Sequence, residues 1–158
     1  MSDKNVAMIK FLMECPTIQN NPLFFNFADT EDGNNHFITE KDSVKRRYID
    51  GSVLKQYTFT IASYHAVSHN ATVVDDEIVI DENIENMAKI QEILDWIDEQ
   101  ATNQNFPDFG PQFVVDEMVT LTTDPDIDGI DTSVNPPIAR YSVGVKLLYL
   151  DNSKKLWI

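Results

Sequence analysis

Apolar and polar positions alternate most regularly from Leu54 onward, where Tyr57, Phe59 and Ile61 fall on one face and Lys55, Thr58, Thr60 and Ala62 take the others. A period of two marks a half-buried antiparallel strand. The run before it, Arg46-Arg47-Tyr48-Ile49, leads into Asp50-Gly51, and Asp-Gly between two such runs predicts a hairpin. The same alternation returns over Ile138 to Leu150, with Tyr141, Val143, Val145, Leu147 and Tyr149 on one face and Ser142, Gly144 and Lys146 on the other. Gln112 to Thr122 reads as a further strand whose apolar positions are Phe113, Val115, Met118 or Val119, and Leu121. Leu23 to Phe27 and His36 to Thr39 read as short strands. Val67 to Asp76 is a polar connection, and Glu77 to Ile80 is a strand fragment or a helix approach.

Helical spacing is clearest where Ile84, Met87, Ile90, Leu94 and Ile97 trace one face, ending near Gln100. Asp81, Glu82 and Asn83 supply caps and first-turn negative charge for its start. A shorter helix over Asp3 to Glu14 is marked by Val6, Ile9 and Met13 with Met8 and Leu12 beside them, and Pro16 ends it. Asn103 to Pro111 breaks the long helix with two prolines and a glycine. The fold class expected is α+β: a mostly antiparallel β-sheet with an N-terminal helix and one long central helix packed on it. At 158 residues the chain fits one domain, 1–158, with an acidic loop over 123–137.

Charge narrows the partners. Twelve basic against twenty-six acidic residues give a net charge of -14, which disfavours general attraction to nucleic-acid phosphate or an anionic membrane. The single cysteine, Cys15, cannot form an internal disulfide, so synthesis in a reducing cytoplasm is expected. The start, Met-Ser-Asp-Lys-Asn, lacks the basic and apolar regions of a secretory signal. No run approaches the roughly 18 to 20 consecutive apolar residues of a membrane helix.

Four clusters carry candidate chemistry. Asp124, Asp126, Asp128 and Asp131 begin like a calcium loop, because alternating carboxylates can converge on one hard cation. The match then fails, since Asn135 stands where a bidentate Glu belongs and both flanks read as strands. A solvated acidic loop is expected instead, with no metal and no cofactor. His65 and His69 are four apart, yet on a strand pattern and without the carboxylate or third histidine of a zinc site. Cys15 follows Glu14 at a helix end, where the dipole disfavours a thiolate nucleophile. Lys45, Arg46 and Arg47 form the only basic triplet, with Lys55 across the turn. In so acidic a chain this cluster matches an acidic partner surface, such as another copy of itself, or a plain solvated hairpin end. No catalytic motif is present, and no enzyme activity is expected.

Cys15-Pro16 after an amphipathic helix, then the run from Lys45 through Ser63, resembles a family of small proteins from tailed phages and prophages of Gram-positive bacteria. Asp95-Trp96-Ile97-Asp98-Glu99-Gln100 with Phe106-Pro107, and Ala139 to Val143 closing on Leu148-Tyr149-Leu150, extend the resemblance over most of the chain. The family is the tail terminator or tail-completion proteins, sometimes labelled minor capsid proteins. The resemblance implies a hexameric ring that caps the head-proximal end of the tail tube, ends tube growth and docks the head-tail connector or stopper protein. Viral DNA would pass through the lumen without sequence-specific binding, and the protein would sit in the virion tail or neck. Some members carry a chloramphenicol-resistance label, but none of His36, His65 or His69 lies in the H-H-x-x-x-D-G motif of a chloramphenicol acetyltransferase. Alternatives are a connector or stopper ring and a calcium-dependent binding module. Lys45, Arg46, Arg47 and Lys55 are the candidate subunit or ring-to-ring contacts, and Asp124, Asp126, Asp128 and Asp131 are the candidate acidic lumen or inter-ring loop.

Overall fold

Two fourteen-residue strands, Val53–Ala66 and Ile138–Asp151, pair antiparallel along their whole length and form the centre of the molecule. The computed structural model describes residues 4–19, 23–25, 35–39, 42–66, 72–74, 77–79, 82–121, 126–133 and 137–156. In chain order the elements are α1 (Lys4–Leu12), α2 (Pro16–Gln19), β1 (Leu23–Phe25), β2 (Asn35–Thr39), β3 (Ser43–Arg47), β4 (Val53–Ala66), β5 (Thr72–Val74), β6 (Glu77–Val79), α3 (Glu82–Thr102), β7 (Phe113–Thr120), β8 (Asp126–Asp131) and β9 (Ile138–Asp151). The fold is α+β, as the alternation implies.

On the side of β4 away from β9, β3 pairs with residues 53–56 and β2 with residues 59–63, so β3 and β2 lie in line. On the far side of β9, β7 pairs with residues 145–151 and β8 with residues 138–142, again in line. β1 adds beyond β2 as a parallel partner, while β5 and β6 form a separate two-stranded ribbon. The connection expected over Val67 to Asp76 therefore contains a strand, β5.

Alternation along β4 and β9 decides where the core lies. Tyr57, Phe59 and Ile61 are buried on one face, opposite Val143, Val145 and Leu147 in the ladder, with Tyr141 and Tyr149 continuing the row. The helices cover this same face: Met8, Phe11 and Leu12 from α1 join Ile90, Ile93, Leu94 and Ile97 from α3 in one apolar cluster. Each large apolar side chain taken fully out of water stabilises by about 1.5–3 kcal/mol, so this face outweighs any single polar contact in holding helices to sheet. Trp96 packs against Phe11 with ring centroids 5.0 Å apart, joining the two helices.

Several expectations need correcting. Val6 and Met13 are 48% and 40% exposed, because Phe11, not they, turns the α1 stripe toward the sheet. Pro16 does not merely stop α1; it opens α2 at the first helical position, where its missing N–H costs nothing. In β7, the register shifts between Val115 and Glu117, leaving Asp116 as a bulge that rephases the strand. That bulge selects Met118 over Val119 for the core and leaves Leu121 exposed.

Polar pins fix the ends. Tyr57 Oη donates to Asn5 Oδ1 at 2.6 Å, and the Tyr149 hydroxyl donates to the Asp42 carboxylate, whose Oδ2 lies 3.8 Å from Lys4 Nζ. Lys4 Nζ also stands 5.1 Å from the centroid of the Phe113 ring. Burial first, and then the bond to Asp42, push the Tyr149 phenol pKa up, so it remains a donor. At the far end, Asn86 Nδ2 donates to the Ala66 carbonyl at 2.9 Å.

The long helix ends in a Schellman motif: Asn105 N–H donates to Gln100 O at 2.9 Å and Gln104 N–H to Ala101 O at 3.1 Å. Gln104 occupies the left-handed position at φ 55, usually glycine's. A side chain there costs about 1–2 kcal/mol, partly offset in glycine by its greater unfolded freedom. Gln104→Gly should therefore raise stability by about 0.5–1 kcal/mol, read as a higher urea midpoint at unchanged slope. A lower midpoint would show that the Gln104 side chain is itself stabilising.

Candidate functional site

The basic cluster predicted from sequence sits at one end of the central ladder. Its turn, residues 48–52, is closed by Tyr48 N–H donating to Ser52 O at 2.9 Å and Gly51 N–H to Tyr48 O at 3.1 Å. Asp50 Oδ1 accepts from Ser52 N–H at 2.9 Å and from Ser52 Oγ at 2.6 Å, which holds the turn and lowers the Asp50 pKa. Gly51 has φ +90, and a Cβ there would meet the Lys154 carbonyl oxygen at 2.2 Å. Only glycine lets the C-terminal segment lie this close. That segment is fastened by Asn152 N–H to Gln112 O at 2.8 Å and by Leu156 N–H to Asp50 O, while Lys155 Nζ stands 4.0 Å from Asp50 Oδ2.

Lys45, Arg46 and Arg47 are all exposed on β3, but Lys55 is not free to serve as a contact in the same way. By parity it shares the inward face of Tyr57, contrary to its sequence assignment with Thr58. Its Nζ donates to Asp151 Oδ2 at 2.8 Å, both side chains being largely covered. A cleft of about 250 Å³ opens here, lined by Val44, Arg47, Val53, Lys55, Asp151 and Lys154 among others. Six of the twelve basic residues thus gather at this end: Lys45, Arg46, Arg47, Lys55, Lys154 and Lys155. Sequence reasoning missed Asp151, Lys154 and Lys155. Antiparallel pairing of the two longest strands over their full length would have found them, because it brings the end of β9 beside the hairpin.

The acidic loop is corrected more sharply. Residues 126–131 are a strand, β8, paired with β9 and bulged between Ile127 and Gly129; Asp124 lies outside the described residues. An extended backbone sets same-face neighbours roughly 7 Å apart, which opposes wrapping around one cation as a calcium loop does. Asp131 accepts from the Ser133 hydroxyl and, at 2.9 Å, from its N–H, and these bonds lower its pKa. Among the described residues no three His, Cys, Asp or Glu side chains group as a metal site.

His36 projects from the outer face of β2, whereas His65 lies inward with its ring 6.0 Å from that of Tyr141, so these two do not converge. His69 lies outside the described residues. Cys15 is fully buried, and burial pushes its thiol pKa up despite bonds from Ile18 and Thr17. Desolvation therefore opposes a thiolate at this position. No helix among the described residues is long and apolar enough to cross a membrane. No protein-family model matches the chain, and no curated protein does.

Asp151 gives this end a pH signature. Burial opposes its ionisation, but bonds from Lys55 Nζ and from Ser153 outweigh that and bring its pKa from 3.8 to about 2. A carboxylate more acidic in the folded than the unfolded state contributes stability that is present above the unfolded pKa and lost as pH falls through the folded one. The chain should therefore lose about 2 kcal/mol from this group between about pH 5 and pH 2, and Asp151→Asn should flatten that slope in denaturation measured across the window. An identical slope in the variant would remove Asp151 as its source. Calorimetric titration with calcium should show no binding tighter than about millimolar, and micromolar binding lost in Asp126→Asn, Asp128→Asn would restore the calcium-module reading.

Proposed function

We propose that the chain is a structural virion protein: a tail terminator that assembles as a ring on the head-proximal end of the tail tube, ends its growth and docks the head connector. The resemblance described above motivates the reading. The observation that carries it is the open sheet, in which β3 and β7 each pair on one side only among the described residues. Such edges can pair with the next copy, and a head-to-tail contact closes into a ring when its rotation permits. The excess of acid over base suits a bore through which DNA slides without sticking. The partners on this reading are further copies of itself, the tail tube protein and the connector or stopper.

Tails assembled without this protein should have tubes of uneven length that fail to join heads, measured by electron microscopy. Tubes of uniform length that join heads normally would sink the proposal. Uniform tubes that fail to join heads would favour a connector or stopper ring on the portal side.

A further inference from the structure

The two lateral edges of the sheet carry opposite charge within the same four rows, offset by one or two. Four rows cross the sheet: Arg47–Val53–Asp151–Phe113, Arg46–Leu54–Leu150–Val114, Val44–Lys55–Tyr149–Val115 and Ser43–Gln56–Leu148–Glu117. β3 therefore ends the rows on one side with Arg46, Arg47 and a bulged Lys45. β7 ends the same rows on the other with Glu117 and a bulged Asp116. All five side chains are exposed.

We infer that β3 of one copy pairs with β7 of the next, antiparallel, so that the sheet continues from copy to copy. Strand directions allow it. β3 and β9 both run opposite to β4, and β7 runs opposite to β9, so β3 and β7 point in opposite directions within one copy. A neighbour rotated about an axis along the strands keeps its orientation, and its β7 then meets β3 as an antiparallel partner, the better-bonded arrangement. Arg46 and Glu117 both project from the outer face, two rows apart, and where the strands tilt to that axis neighbouring edges are sheared along each other, so a shear of two residues sets them opposite without exchanging faces.

Charged, bulged edges ordinarily guard a monomer against stray strand addition. Here the guards have opposite signs. Two β3 edges repel each other, as do two β7 edges, so the symmetric dimers that either edge would form with itself are disfavoured. The unlike pair remains, and it is head-to-tail, the kind of contact from which rings are built. Resting on the ring reading above for what the joint closes into, this assigns its two surfaces: a basic edge of Lys45, Arg46 and Arg47 and an acidic edge of Asp116 and Glu117.

Charge exchange tests it on the full chain. Sedimentation velocity at high protein concentration should show self-association that weakens with added salt. Arg46→Glu with Arg47→Glu, and separately Asp116→Lys with Glu117→Lys, should each weaken association by about tenfold or more while circular dichroism stays that of the parent. An equimolar mixture of the two variants should associate again, because the acidic β3 of one then meets the basic β7 of the other. A parent that stays monomeric, variants that associate like the parent, or a mixture that fails to recover would each overturn the joint. Tail assembly separates the two proposals: a joint that behaves as described in a protein dispensable for tails removes only the tail function, and charge-indifferent association in a protein that tails require removes only the joint.

Discussion

The β4–β9 ladder constrains everything else in the molecule. Fourteen consecutive pairs fix which residues face inward, since a slip by one would carry Tyr57, Phe59, Val145 and Leu147 to the outer face together. All three described helices contribute to the apolar cluster on that inner face, and the outer face stays half-covered along β9, where every even-numbered residue from Ile138 to Leu150 has intermediate exposure, but closes over Ala62 and Tyr64 at one end of β4. Four of the shorter strands are placed by the same ladder, β3 and β2 in line on one flank and β7 and β8 on the other.

Period and burial agree along β4, β9 and α3, and these elements were legible for that reason. The rest was written in interactions that local pattern does not carry. β8 looked like a loop because Asp126, Asp128 and Asp131 have low strand preference, yet its backbone is satisfied by β9. Asp116 changes the phase of β7 by standing outside the ladder, so no strict alternation could choose between Met118 and Val119. Lys55 and Asp151 are 96 residues apart in sequence, and only the pairing of the two long strands makes them neighbours.

The candidate site divides along the same line. The triplet Lys45-Arg46-Arg47 and its hairpin were visible from composition and Asp50-Gly51. The cleft beside them was not, because half of its charge comes from the end of β9 and the segment after it. Charge is consequently sorted in space more strongly than in sequence: six of the twelve basic residues of an acidic chain gather at one edge and hairpin end, with an ion pair at Lys55 and Asp151 beside them. An arrangement of this kind directs encounter between unlike surfaces before any close contact forms.

The position of β9 in the chain has a consequence for synthesis. The strand that stands between β4 and β7 is made after both of them, and Gly51 waits for Lys154 to complete the hairpin end. A nascent chain halted before residue 138 can form the β3–β4 hairpin and α3, which are local, but has nothing to hold β3 and β7 at a common height. The completed pair of edges therefore comes into being in one late step. Chains cut short of β9 are thereby kept from presenting the two edges together.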